Sequence, residues 1–347
     1  MKILLFHTYN RGYLSSFFHE LSVKLFEDGH EVVSFSFKST VSERLIDDVK
    51  VIVKKKKGYF TNYTNVYRIV RQEKPDVILS NFSYVNPALL FGKLLGVKHN
   101  MVWFHTLKKQ MDFKWYNVYI KSKFLNLASD IITNSIELKN EVITDYRQKS
   151  IKVHNFPFTT AVSSTIKKEI NLDKIDGKVY IGCPGRLHPD KNQKVLLEVL
   201  DALKNDNYVV VFVGAVQNNF LFNHVLYEAY KDQILHLGTL SKEEMADFYF
   251  KMDLIVLPSL NEAFGLVLIE ALASGCNTLV SNRFGALDYI KEDVSHMTFS
   301  PLDVVDLKNK IIDAFTYKKP SQYFKALYAN NFSMSDIIKM LLLLIKK

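Results

Sequence analysis

Short apolar runs alternate along this chain with longer stretches in which apolar residues recur every three or four positions. In the first half the short runs are KILLFHT (2–8), EVVSFSF (31–37), VKVIVK (49–54), DVILSN (76–81), NMVWFH (100–105) and DIITNS (130–135). Their length and their Val, Ile and Phe content read as strands. Between the first two lies LSSFFHELSVKLFEDG (14–29), apolar at Leu14, Phe17, Phe18, Leu21 and Leu25 and stopped by Gly29. That is the pattern of an amphipathic helix with its terminator. Strands alternating with helices predict a parallel sheet covered on both faces.

The alternation lapses at NFPFTTAVSSTIKKEINLDKIDGK (155–178), where Pro157, a Ser/Thr cluster and Gly177 mark a connection. It restarts with VYIGCPG (179–185), YVVVFVGA (208–215), ILHLG (234–238), DLIVLPS (253–259) and NTLVSN (277–282). The expected architecture is α/β: two tandem Rossmann-like, doubly wound domains. Their expected bounds are 1–157 for an N-terminal acceptor-binding domain, 158–178 for a linker and 179–330 for a C-terminal nucleotide-sugar-binding domain. A helix at 331–347 would then cross back to the first domain. In such sheets ligands bind outside the carboxyl ends of the strands, so chemistry is sought just after strands and in a cleft between the domains.

Composition narrows the setting. The chain has 347 residues, enough for two domains. Its start, ILLF followed by polar HTYNRG, lacks the cleavage site of a secretory leader. The longest apolar run, IIKMLLLLI (337–345), is too short to span a bilayer and reads as a packed helix. Two distant cysteines, Cys183 and Cys276, make no disulfide framework and fit a reducing cytoplasm. The net charge of +9 is lopsided: residues 1–160 hold 24 Lys and Arg against 14 Asp and Glu, whereas 161–347 are nearly balanced. A basic half seeks an anionic partner. KKKK (54–57) and the cationic, aromatic LKKQMDFKWYNVYIKSK (107–123) favour an anionic membrane, with the protein peripheral on the inner face of the plasma membrane.

Four loops after strands carry candidate chemistry. LPSLNEAFGLVLIEALASGCNTLVS (257–281) holds two acids, Glu262 in the loop and Glu270 in a helix running from about Phe264 to Ser274. Singly, each also reads as an ordinary helix charge. Gly265 permits close backbone approach at the start of that helix, where N–H groups are unpaired. CPGRLHPDKNQKVLLEVL (183–200) offers a turn at Gly185 and two cations, Arg186 and Lys191, suited to a diphosphate. VWFHTL (102–107) ends a strand at His105, and YNRGYLSS (9–16) places Gly12 before a helix. There is no D-x-D, H-E-x-x-H, C-x-x-C or G-x-S-x-G, so neither a metal nor another cofactor is expected.

These residues resemble a known family. E-A-F-G-L-x-L-x-E-A-L-A-S-G (262–275) is similar to the E-x7-E signature of the retaining, GT-B-fold glycosyltransferases of family 4, which serve lipopolysaccharide, capsule and phosphoinositide synthesis. G-R-L-x-P-x-K-N (185–192) and LHLGTLSKEEMADFYFKMDLIVLPS (235–259) occur in the family's order, and LNLASDIITNSIELKNEV (125–142) and VHNF (153–156) are also similar. The resemblance implies a UDP- or GDP-sugar donor, a substrate and not a cofactor, and a glycan or lipid-linked acceptor. It gives Arg186 and Lys191 the diphosphate, Glu270 the ribose, and Glu262 the donor sugar near its anomeric carbon. Phe264, Gly265 and Leu266 would offer backbone N–H groups, and His105 would lie near the donor sugar. Departures are Gly12 alone, after Arg11, where relatives have a glycine pair, and Asp288 where they often carry Glu. A nucleotide-sugar epimerase on a similar fold is the alternative. The lack of any nucleic-acid-binding motif argues against a nucleic-acid partner.

Overall fold

The computed structural model describes residues 1–10, 12–38, 41–110, 115–160 and 168–346. Arg11, residues 39–40, the MDFK segment (111–114) of the cationic, aromatic stretch, 161–167 of the expected linker and residue 347 lie outside the described residues. The chain forms two compact units, Met1–Thr159 with Ser333–Lys347, and Thr160–Phe332.

The first unit runs β1 (Lys2–Phe6), α1 (Tyr13–Glu27), β2 (Glu31–Lys38), β3 (Ser42–Ile46), β4 (Val49–Lys55), α2 (Tyr59–Glu73), β5 (Val77–Asn81), α3 (Val85–Leu94), β6 (His99–Trp103), α4 (Trp115–Leu125), β7 (Ile131–Thr133), α5 (Ile136–Thr144) and β8 (Val153–Asn155). The sheet order is β3-β4-β2-β1-β5-β6-β7-β8, parallel except for β3, which pairs antiparallel with β4. Beginning at β1, the chain winds outward on one side and then from β5 on the other. The crevice beside β1 and β5 is therefore the switch point where such sheets bind ligands.

On one face of this sheet Leu4, Phe6, Val33, Phe35 and Ile78 pack with Val66, Ile69 and Val70 of α2 and Ala88 of α3. On the other face Phe17 and Phe18 of α1 meet Trp103 edge-on at 5.3 and 5.5 Å between ring centroids. At the sheet's amino end the buried carboxylate of Glu73 pairs with Lys2 at 2.8 Å and Lys50 at 3.0 Å. Burial alone would raise its pKa, but the two ammonium groups outweigh burial and hold it below the usual range.

The second unit contains β9 (Val179–Pro184), α6 (Lys194–Leu203), β10 (Tyr208–Val213), β11 (Ile234–His236), α7 (Lys242–Lys251), β12 (Leu254–Leu257), α8 (Leu266–Ser274), β13 (Thr278–Ser281), β14 (Thr298–Phe299), α9 (Val304–Thr316) and α10 (Ser321–Asn331). Its sheet, β11-β10-β9-β12-β13-β14, is wholly parallel, with the switch point between β9 and β12. The expected α/β class with two Rossmann-like sheets is thus observed. The last helix, α11 (Met334–Ile345), belongs to the first unit and packs on α1. It buries Ile337, Ile338, Leu341, Leu344 and Ile345, a stripe at helical spacing. No helix among the described residues is long and apolar enough to cross a membrane.

One element was not foreseen and one local reading needs correction. The strand SERLI of β3 gave no apolar signal, since Leu45 is 72 % exposed on a sheet edge. The helix expected from Phe264 begins at Leu266 because Gly265 has φ +97°, outside helical space. Gly265 is therefore the cap of α8, not part of its first turn.

Candidate functional site

The loops after β9, β12 and β13 are laced together by their backbones at the switch point of the second unit. Leu260 N–H donates to the Asp190 carbonyl (2.8 Å), Glu262 N–H to Arg283 (3.2 Å), and Ala286 N–H to Phe264 (2.8 Å). Gly265 lies so close beneath Phe284 that a Cβ would sit 2.1 Å from its ring. Only glycine suits both that gap and the positive φ. No side chain caps α8; the Leu268 N–H donates to the Gly265 carbonyl (3.0 Å), and the N–H groups before it lie at a strand's carboxyl end.

This lacing brings the side chains together. The Lys191 ammonium donates to the Glu262 carboxylate, with 20 % and 14 % of the two side chains exposed. The resemblance assigned Lys191 to the donor's diphosphate and Glu262 to its sugar, whereas in this structure they form one ion pair. Arg186 is exposed, and its Nη1 donates to Gln217 Oε1 at 3.2 Å. Gln193 Nε2 fastens the same turn by donating to the Arg186 carbonyl (2.8 Å). Gly185 has φ +147°, and its carbonyl would lie 2.2 Å from a Cβ on Gly214, so the ends of β9 and β10 touch backbone to backbone.

Glu270 is not the exposed helix charge that its position alone would suggest. It is 1 % exposed and accepts from Tyr249 Oη of α7 at 3.0 Å. Burial pushes its carboxyl up to about 8, against smaller opposing effects from Tyr249 and Lys242, so it is largely neutral at pH 7. Tyr249 was missed as its partner, although it lies in a motif-bearing run. A cavity of about 350 Å³ bordered by Asn277, Thr278 and His296 opens at the amino end of β13, away from these groups.

His105 and Gly12 belong to the first unit. Asn134 Nδ2 donates to the Phe156 carbonyl at 2.9 Å, which turns Asn134 Oδ1 toward His105 Nδ1, 3.1 Å away. His105 therefore carries its proton on Nδ1 and leaves Nε2 as an acceptor. Burial pushes the ring down to about 3, so it is neutral. Asn134, at the end of β7, was not foreseen. The N–H of Gly12 is already engaged by Asn10 Oδ1 (2.8 Å), which removes it as an obvious donor to substrate. Among the described residues no group of three or more His, Cys, Asp or Glu is placed to hold a metal.

Two Rossmann-like α/β units, each on a largely parallel sheet, make up a fold shared with GT-B glycosyltransferases. A glycosyltransferase of Rickettsia africae ESF-5 superposes with a TM-score of 0.75 at 18 % identity, covering 99 % of this chain and 97 % of that one. Anabaena Alr3699/HepE, solved in complex with UDP and glucose, does so with a TM-score of 0.74 at 17 % identity over 100 % of both. Family models match residues 14–157 (Glycosyltransferase Family 4) and 165–327 (Glycosyl transferases group 1). The chain belongs to the GT-B glycosyltransferases of family 4. Relatives include Protein CapJ of Staphylococcus aureus, 27 % identical over 58 % of this chain and 53 % of CapJ. Another is the UDP-Gal:alpha-D-GlcNAc-diphosphoundecaprenol alpha-1,3-galactosyltransferase of Escherichia coli, 23 % identical over 76 % of this chain and 78 % of that one. The matches span about half the length of the first curated relatives, 53 % for CapJ and 52 % for the capsular glycosyltransferase CapM.

Glu270 gives a pH prediction. Its folded pKa is raised, so the proton it keeps contributes stability that is full below about pH 4.5 and is lost as pH rises toward about 8. Glu270→Gln keeps the neutral shape and removes the titration. Urea unfolding at pH 5, 6.5 and 8 should show the wild type losing stability relative to Glu270→Gln, by up to about 1.4 kcal/mol per pH unit. Parallel pH profiles would mean that Glu270 is ionised in the folded protein.

Proposed function

We propose that this protein transfers a sugar from a nucleotide-sugar donor to a glycan or lipid-linked acceptor, with retention of anomeric configuration, in bacterial surface-polysaccharide synthesis. The observation that carries this reading is the convergence of Arg186, Lys191, Glu262 and the uncapped start of α8 at one switch point, in a member of this family. The UDP complexes of Alr3699/HepE support a nucleotide-sugar donor and make UDP the first nucleotide to test, with GDP the second.

In this mechanism the donor's diphosphate competes with Glu262 for the Lys191 ammonium. Arg186 swings from Gln217 to the same phosphates, joined by N–H groups of Gly265 and Leu266 and the backbone at Phe264. Negative charge grows on the leaving nucleoside diphosphate, and these fixed donors stabilise it. The Glu262 carboxylate, freed from Lys191, faces the positive charge developing at the anomeric carbon. Glu270 takes the ribose hydroxyls, and since its side chain is enclosed, nucleotide entry must open it.

The two glutamates then separate in kinetics. Glu270→Ala should weaken binding of free UDP by about tenfold or more, because it removes contacts to a part that does not react. Glu262→Gln should leave UDP affinity unchanged or raised, since Lys191 is released, while lowering turnover by about 10²-fold. The reverse pattern would exchange their roles.

Because the cations act where other transferases use a metal clamped by D-x-D, turnover in excess EDTA is expected to equal turnover without it. Full loss that added divalent metal restores would refute metal independence.

The acceptor reading includes a membrane. Lys54–Lys57 are exposed beside Tyr59 and Phe60 (64 % and 86 % exposed), and Trp115 of α4 is 81 % exposed. Aromatic side chains among lysines suit an anionic interface, with each lysine contributing about 1 kcal/mol. The protein should sediment with phosphatidylglycerol vesicles more than with phosphatidylcholine vesicles at low salt, and the gap should close as salt rises. Equal sedimentation would remove the membrane from the proposal.

A further inference from the structure

The first unit holds a half-buried cation that no established feature uses. Lys121 of α4 borders two cavities that meet at its side chain and at Ser83. One, of about 340 Å³, is walled by Phe82, Val85, Trp103, Phe104 and His105. The other, of about 280 Å³, is walled by Lys56, Tyr59, Asn62, Tyr63 and Asn86. Both open at the carboxyl ends of the central strands, where this class of sheet binds ligands.

The Lys121 ammonium has one hydrogen-bond partner among the described residues, the neutral Asn86 Oδ1 at 3.0 Å. No described carboxylate forms an ion pair with it. Burial pushes it down to about 8, with no opposing charge to raise it. A cation held this way is costly until an anion joins it. Two further polar atoms point the same way. Trp103 Nε1 and His105 Nε2, both from residues lining the larger cavity, are buried without a hydrogen bond among the described residues. Phe82 has a left-handed backbone (φ +50°) and lays its ring 4.8 Å from that of His105. Such strain in a bulky residue persists where the surroundings impose it.

We propose that Lys121 is the centre of a binding site for a phosphate or diphosphate ester, with Lys56 as a second cation on the rim and the aromatic cavity beside Trp103 taking an apolar group attached to it. The site deepens the glycosyltransferase reading, on which it rests, by making the acceptor a phosphorylated amphiphile. Its phosphate oxygens accept from Lys121 and Trp103 Nε1, and a hydroxyl of the ligand donates to His105 Nε2.

The test titrates farnesyl diphosphate, inorganic diphosphate and farnesol into the full chain carrying Trp115→Phe, so that the remaining tryptophan, Trp103, reports on the cavity by its emission. Farnesyl diphosphate should bind, and Lys121→Met should weaken it by about tenfold or more, the scale of one lost charge-assisted contact. Lys93→Met, an exposed lysine on α3, should leave it unchanged. The melting temperature of Lys121→Met should equal or exceed that of its parent, because an uncompensated charge has been removed. Inorganic diphosphate binding as tightly, and as dependent on Lys121, would support the anion site and assign it to a free phosphate. Farnesol binding as well as farnesyl diphosphate would overturn the proposal, as would undiminished binding by Lys121→Met. A lowered melting temperature accompanying lost binding would make Lys121 structural and overturn it too. UDP, titrated in parallel, separates the two readings. If UDP binds and farnesyl diphosphate does not, this site alone is wrong, whereas a protein that binds neither UDP nor GDP fails the glycosyltransferase reading itself.

Discussion

The ion pair between Lys191 and Glu262 ties together two loops that leave adjacent strands in opposite directions of winding. A parallel sheet sends all its strand ends to one edge, and where the strand order reverses the flanking loops diverge and leave a crevice. In the second unit that crevice lies between β9 and β12, and the pair spans it. Both side chains are mostly shielded, so their attraction is screened less than that of a surface pair. The backbone bonds from Leu260 to Asp190 and from Glu262 to Arg283 hold the same loops in register. The position of Arg186, the start of α8 and the close packing of Gly265 under Phe284 all follow from that junction.

The two acids of one motif occupy unlike surroundings, and their chemistry diverges accordingly. Glu262 meets a cation in a partly open loop. Eight residues later Glu270 lies on a helix whose other faces are apolar, with a tyrosine hydroxyl as its hydrogen-bond donor and its carboxyl protonated near neutrality. A carboxylate paired with an ammonium responds to anions that compete for that ammonium. A neutral carboxyl can both donate and accept, which suits a diol better than a cation.

In the first unit the charge excess takes two forms. Exposed lysines beside Tyr59 and Phe60 create a long-range field that salt screens. Lys121, half-buried among aromatic and amide side chains, has a more local and less screened effect. His105 shares its cavity but is kept neutral by its enclosure, against a smaller opposing effect from Asn134, so it adds an acceptor and no charge there.

Much of the fold was legible before any coordinates. VKVIVK, DVILSN and YVVVFVGA became β4, β5 and β10 because apolar runs of that length have few other stable places than a covered sheet. The polar edge strand β3 and the two- and three-residue strands β14 and β8 were not, since their pairing rests on backbone bonds that composition does not encode. The motifs located Arg186, Lys191, Glu262, Glu270 and His105 on their loops and helices, because strand ends and glycines are local features. That Lys191 meets Glu262 across 71 positions, that Tyr249 reaches Glu270, and that Lys121 lies between two cavities were decided only by tertiary packing. Local sequence determines which residues can sit at a strand's end. Which of them touch depends on strand order and helix packing, and these bring together residues that no local pattern relates.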